Sequence, residues 1–409
     1  MKRSNARSFP LCGLIVIWAC VSAGGGPATG QAAAPWPQYR IYAGNTHSHT
    51  TNTWSHGEHY GKPKADEGES NPKPAKTKVL KPDWQKHQGP PAAHYALAKA
   101  KGYDFYATTD HSQEAAFRPL SCTNAAWVAA QREAAAATDA SFVAIAGYEH
   151  SENNGPAGGG HLNVLNSSQY LNALAPGVDL PQLYQWLKTV PPNGEGPVVA
   201  CFNHPAPRGY NNWAGCDPEV ADVLTLLEVI NSNSRIHYEA FVNALDAGWK
   251  VSPVCGNDNH GFWGISHHTS RTLVLATART KAAILDALKH RRTYASLDGN
   301  IQCRYTVNGA IMGSTLNRPD AFKFDIAISD PDIGKPEDRI TGIDIVKDGG
   351  KVVQVYNAPP AHSVTWSPTI KDAASRFFFV RVWNAGRGDA AAGNPPKPVA
   401  WLAPVWTGR

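Results

Sequence analysis

The sequence has no CxxC pair, no GxSxG turn and no glycine-rich phosphate loop. Their absence argues against a dithiol or zinc-ribbon motif, a serine-hydrolase elbow and a P-loop. Long hydrophobic runs are also scarce. One stands out, LCGLIVIWACVSA, after the basic start MKRSNAR and before the small residues AGGGPATGQAAA. It is short for a bilayer span, and residues 1–34 read as a secretory signal plus small-residue linker, with cleavage after Ala23 or Ala34. Trp18 fits a lipoprotein anchor at Cys20 poorly. A secreted or periplasmic protein without a membrane span is expected.

Excess charge is missing as well. The 38 basic and 33 acidic residues give a net +5. Lys2, Arg3 and Arg7 belong to the signal-like segment, and without them about +2 remains, so no nucleic-acid partner is expected. Of the seven cysteines, Cys12 and Cys20 lie in the same segment. Cys201 and Cys255 sit in apolar runs and read as buried thiols. Cys122 and Cys216 sit in loop-like stretches and are the pair expected to bridge, and the odd total of five with Cys303 means at least one free thiol or a pair between chains.

The 409 residues hold one large domain and a smaller one. Short apolar, β-branched or aromatic runs recur from residue 40 to 277, among them RIYAGNT, YDFYATT, SFVAIAGY, PVVACFN, VLTLLEVI and VSPVCGN. Helix-like stretches separate several of them, such as AAWVAAQREAAAATDA, LPQLYQWLKTV and TKAAILDALKHR. Strands apolar throughout and alternating with helices predict a parallel sheet covered on both faces, here an irregular α/β barrel over 41–298. Residues 58–91 interrupt it with Lys, Pro and Gly, and read as a solvated loop or a wall over the barrel mouth. From 300 to 409 strand-like runs follow without helices, which predicts a small antiparallel, sandwich-like domain. Its tryptophans Trp383, Trp401 and Trp406 read as core.

Metal-capable residues recur at the ends of the predicted strands: His47, His49 and His56, then Asp110 and His111, Glu149, His204, and Asp258 with His260. His161 stands at the start of its run, so its position does not follow from the rule that catalytic residues occupy the C-terminal strand ends. With 16 histidines in the chain, chance supplies about 0.6 of an HxH pair, so HSH alone proves little. The joint recurrence proves more. Alternate residues on a strand share a face, which suits paired ligands in HSH and DNH. Imidazole suits zinc and iron, while a carboxylate suits manganese and can bridge two ions. Seven histidines and two carboxylates are too many for one tetrahedral ion and enough for two or three.

The ordered set HSH (47–49), TDH (109–111), GYE (147–149), GGHLN (159–163), NHP (203–205) and NDNH (257–260) resembles the polymerase and histidinol phosphatase (PHP) superfamily over roughly 41–295. Within it, the trailing AWLAPVW is similar to the ending of an exported bacterial branch that includes carbaryl hydrolase-type enzymes. The resemblance implies an irregular (β/α)7-type barrel and two or three divalent ions (Mn, Zn or Fe). It implies one ion on His47, His49, Glu149 and Asp258, a second on Glu149, His161 and His204, and a third on His56, His111 and His260. Many members read HxHTxxSDG. Here HSHTTNTWSHG is two residues longer, with His56 in the place of the Asp and His59 as its competitor.

The resemblance implies an exported hydrolase that cleaves a small-molecule phosphoester with a metal-bridging hydroxide. Asp258, His260 or His267 is expected to pass a proton to the leaving group. Arg292 is a candidate for an anionic substrate group, with a structural ion pair as the alternative. Two other readings stay open: a carbamate or carboxylic ester hydrolase of the carbaryl type, and a non-catalytic periplasmic protein that binds metal or glycan.

Overall fold

The computed structural model describes residues 38–61, 78–119, 121–152, 159–386 and 397–408. The signal-like segment and the interior of the 58–91 loop lie outside them. Seven strands form the barrel: β1 (Arg40–Asn45), β2 (Phe105–His111), β3 (Val143–Glu152), β4 (Gly160–Leu165), β5 (Val199–Asn203), β6 (Leu224–Asn231) and β7 (Ser252–Gly256). They lie side by side in chain order. Closure comes from the residues just beyond β1 and β7. Ser48 and Asn259 form a parallel bridge, Asp258 N donates to His47 O at 3.0 Å, and His49 N donates to Asn259 O at 2.9 Å. Strands β2, β5, β6 and β7 are buried along their whole length, as β-branched and aromatic runs covered on both faces should be.

One strand breaks the parallel rule. β4 runs antiparallel to both β3 and β5. Reversal puts its first residues at the same mouth as the last residues of its neighbours, which brings His161 to the mouth.

The helices coat the outside: α1 (Pro91–Ala100), α2 (Ala125–Ala137), α3 (Leu180–Leu187), α4 (Pro218–Val223), α5 (Tyr238–Asp246), α6 (Phe262–His267) and α7 (Lys281–Lys289). Their starts are written locally. Asn124 caps α2, Asp179 caps α3, Asp217 caps α4 and Thr280 caps α7, each accepting from backbone N–H groups of the first turn.

Beyond Lys289 the described residues form no α-helix. Strands β8 (Arg271–Ala276) and β9 (Thr293–Ser296) extend the barrel sheet from β1, both antiparallel to their neighbours. A second, antiparallel sheet holds β10 (Gln302–Val307), β11 (Ala321–Ser329) and, further along, β14 (Ser363–Trp366). The intervening β12 (Ile340–Lys347) and β13 (Lys351–Ala361), with β15 (Phe377–Asn384) and β16 (Ala400–Leu402), join the large sheet, because β16 pairs with β9. Phe322 and Phe324 of β11 pack on Phe378 of β15. This gives the C-terminal part the sandwich core expected of it, and Trp401 and Trp406 are buried there. Trp383 is half-buried and donates from Nε1 to Asp344 at 3.0 Å.

The expected Cys122–Cys216 bridge is absent, while Cys201 and Cys255 are buried thiols as expected. All five described cysteines are free, with Cys122 exposed, Cys216 half-buried and the other three buried. Cys122 lies ahead of α2 and Cys216 ahead of α4, on separate loops, and burial rather than pairing accounts for Cys201, Cys255 and Cys303.

Candidate metal centre

The barrel mouth gathers the predicted ligands into one cluster. Three donor groups form, each with its atoms within 4.8 Å of one another: His47, His49 and Glu149; Glu149, His161 and His204; and His49, His111 and His260. The groups share His49 and Glu149. The Glu149 carboxylate lies 2.8 Å from His111 Nε2, 3.2 Å from His161 Nδ1, and 3.4 Å from both His47 Nε2 and His204 Nε2. Asp258 Oδ1 lies 3.1 Å from His49 Nε2 and 3.5 Å from His47 Nε2. The side chains of His47 and His49 are fully buried, whereas those of Asp258 and His260 are 18% exposed. The cluster is a funnel with a dry floor and a wet rim.

Outer partners set which imidazole nitrogen faces inward. His47 Nδ1 bonds Glu228 Oε1 at 2.7 Å. His260 Nδ1 bonds the Asp258 carbonyl at 3.1 Å. Thr53 Oγ1 donates to Asp110 and lies 3.4 Å from His49 Nδ1. With each ring neutral and the hydrogen on that nitrogen, each Nε2 would present a lone pair to the cluster. His47 Nε2 and His49 Nε2 lie 3.0 Å apart, and with both rings neutral in that tautomer they would be two acceptors facing each other. His260 Nε2 is buried without a hydrogen-bond partner among the described residues. Both features fit a donor set built for cations.

His56 is the looser member. Its ring lies 4.2 Å from the ring of His260 and 5.2 Å from that of His111. It is outside the three groups above, and His49 occupies the place it was expected to take beside His111 and His260. Its Nδ1 sits 2.8 Å from Ser55 Oγ, which donates to the buried Glu114. This relay also turns Nε2 toward the cluster. We therefore expect His56→Ala to lower the bound metal by one ion per chain, counted by plasma mass spectrometry. An unchanged count would leave the third ion to His49, His111 and His260. His59 stacks on Trp54 at 4.4 Å and bonds the Trp54 carbonyl at 3.2 Å, so its role is in the wall.

The charges are interlocked. Burial opposes protonation of His47, but the carboxylates of Glu228, Glu149 and Asp258 outweigh it and hold its pKa well above the usual imidazole value. Burial, then His260 and His111, hold His49 well below it. Burial works against an ionised Glu149, yet His47, His111 and His161 keep it ionised. Divalent cations would take over this compensation.

Two parts of the site, Glu228 and Tyr210, were not read from sequence, and Asp110 was read only as metal-capable. Glu228, in the apolar strand β6, accepts from His47 Nδ1, from His204 N at 2.7 Å and from Asn231 Nδ2 at 3.0 Å. A lone carboxylate inside VLTLLEVI was the available signal. Asp110 is a clamp rather than a ligand: it accepts from Thr50 N at 2.6 Å, Thr50 Oγ1 at 2.7 Å, Thr53 N at 3.1 Å and Thr53 Oγ1 at 2.9 Å. This fixes the loop that carries His49 toward His56. Tyr210 donates to His161 O at 2.6 Å and to Asn203 O at 2.9 Å, tying β4 to the end of β5. It opens a left-handed turn, Tyr210 to Trp213, with φ between 51° and 63°. Such residues cost about 1–2 kcal/mol each, and His204 and Asp258 also have positive φ, 31° and 48°. Strain of this kind persists where surrounding contacts over-determine it.

Two expected roles are corrected. Arg292 is buried at the opposite end of the barrel. It immediately precedes Thr293, which pairs with Val274, and its Nε donates to Leu275 O at 3.1 Å; Leu275 pairs in turn with Ile41 near the start of β1. Its guanidinium is ion-paired with Asp286. It is structural: Arg292→Met should cost about 1–2 kcal/mol in a denaturant titration, discounted because Asp286 is half exposed, and leave KM unchanged. His267 is exposed, stacks on Trp263 and bonds its carbonyl at 2.9 Å. It lines a cavity with Arg271 and Asp298 rather than the histidine funnel.

The described ends of the 58–91 loop lean on this mouth. Glu58 N donates to His260 O at 2.8 Å, and Phe262 N donates to His87 O at 2.9 Å. Trp54, with 37% of its surface exposed, stacks on His59 and meets Trp84 edge to face. The result is an aromatic wall on one side.

No family model matches the chain, and no curated protein does. Among solved structures, a two-domain protein from Bacteroides vulgatus containing a predicted PHP-like metal-dependent phosphoesterase is similar. The match covers 90% of this chain and 96% of that one, at 14% identity and a TM-score of 0.44. Among the described residues no helix is long and apolar enough to cross a membrane.

Proposed function

We propose that this protein is an exported metal-dependent hydrolase of the PHP type, acting on a small-molecule phosphoester. The observation that carries the reading is the set of three donor groups joined through His49 and Glu149 at one barrel mouth. His47, His49, Glu149 and Asp258 would hold one ion, Glu149, His161 and His204 a second, and His111 and His260, with His49 or His56, a third. Divalent ions there, zinc, manganese or iron, supply Lewis acidity: they make water nucleophilic near neutral pH and offset developing negative charge.

The chain's own residues do the rest. The buried floor of His47, His49 and Glu149 excludes water and keeps the electrostatics strong. Asp258, at the rim, takes the proton released by the attacking water and passes it to the leaving oxygen. The aromatic wall around Trp54 offers a surface for an apolar or aryl leaving group. That wall also favours the second reading, an aryl carbamate or carboxylic ester. Export rests on the sequence of residues 1–34 alone.

The test is a panel on the metal-loaded protein: p-nitrophenyl phosphate, its phosphodiester analogue, p-nitrophenyl acetate and an aryl carbamate. The phosphoesters should show the highest kcat/KM. A preference for acetate or carbamate would transfer the assignment to the second reading. No turnover with any of them, at full metal occupancy, would leave a binding protein.

A further inference from the structure

Away from the histidine funnel, three carboxylates from distant parts of the chain meet. Asp298 follows β9, Asp330 follows β11, and Asp338 stands in the turn before β12. One oxygen of each lies within 4.8 Å of the others. Clustered acids alone are common, but Asp330 is unusual. Only 3% of it is exposed, and its Oδ2 has no hydrogen-bond partner among the described residues. Its Oδ1 accepts from Asp332 N at 2.8 Å. An unpartnered carboxylate oxygen is costly to bury, and a like-charged cluster raises that cost. The nearby ammonium does not relieve it: Lys335 Nζ pairs with Asp332 at 2.7 Å, reaches Asp338 only at 4.0 Å, and forms no ion pair with Asp298 or Asp330. Asp330 itself therefore has no cationic partner among the described residues.

We propose that Asp298, Asp330 and Asp338 form a second cation site, distinct from the histidine cluster, that takes a calcium ion. The donors are all oxygens, which selects a hard cation over zinc. Asp298 and Asp338 also line an open cavity of about 590 Å³, which provides an entry path. The ligands lie just after β9, just after β11 and in the turn before β12, so the ion staples the antiparallel part to the barrel edge.

The test uses the full chain with its histidine cluster loaded with zinc, titrated with calcium chloride. Calorimetry should report one calcium per chain, and Tm should rise with calcium. Asp330→Asn and Asp338→Asn should each weaken calcium binding by about tenfold or more and leave the zinc count unchanged. Both keep the side-chain shape and reduce the repulsion, so in EGTA their Tm should match or exceed that of the wild type. Absence of calcium binding to the wild-type protein overturns the proposal whether or not a variant folds. Undiminished affinity in both variants overturns it equally.

Discussion

Glu149→Ala should reduce the protein to at most one metal ion per chain. Glu149 is a member of two of the three donor groups, and its removal leaves only His49, His111 and His260 intact. Even that group is weakened, because His111 Nε2 loses its carboxylate partner at 2.8 Å. His161→Ala, which touches one group, should cost a single ion. Lewis acidity is worth several kcal/mol of transition-state stabilisation, so activity in Glu149→Ala should fall by about 10³-fold or more. Metal counting and kcat/KM on the best panel substrate check the two halves separately. A variant that keeps its full metal complement would show that Glu149 is only a neighbour of the ions, and the shared-ligand arrangement would be wrong.

Gly256→Ala should damage the site from behind. A Cβ at this position would lie 1.8 Å from Glu228 Oε1 and 2.9 Å from His47 Cβ. The carboxylate occupies the space that only glycine leaves, so the methyl must push it away. His47 Nδ1–H and His204 N–H then lose their buried acceptor, at about 1–3 kcal/mol each, and crowding adds about 1–3 kcal/mol. A total loss of roughly 3–9 kcal/mol is expected by denaturant titration, with metal affinity down about 10–100-fold, the usual cost of losing a partner that orients a ligand. Glu228→Ala vacates the same space. The double variant should therefore be no worse than Glu228→Ala alone, a non-additivity that marks direct contact. Additive losses would mean that Gly256 serves something other than room for Glu228.

The main residues of the candidate cluster were legible because each lies in a short local pattern. In HSH, His47 and His49 turn inward together, with rings 4.9 Å apart, while Ser48 turns away and bonds Ala107 O at 2.8 Å. In DNH, Asn259 turns away likewise and accepts from Tyr106 OH at 2.9 Å. The five long helices fall where the helix-like stretches stand, since caps such as Asn124 and Thr280 are local signals. Arg292 misled because sequence order places it after the metal motifs, whereas strand direction places it at the far end of the barrel.

What the sequence by itself determined is the chemistry of the cluster: which residue types recur at strand ends, and that they are too many for one ion. Tertiary structure decided the rest. The reversal of β4 brought His161 to the mouth, a choice made by strand pairing that residue pattern does not encode. Glu228 became the orienting partner of His47 because Gly256, 28 positions later, leaves a gap beside it. Asp298, Asp330 and Asp338 gained a common centre only when two sheets met. Side-chain periodicity acts over a few residues, and these arrangements depend on contacts between segments far apart in the chain.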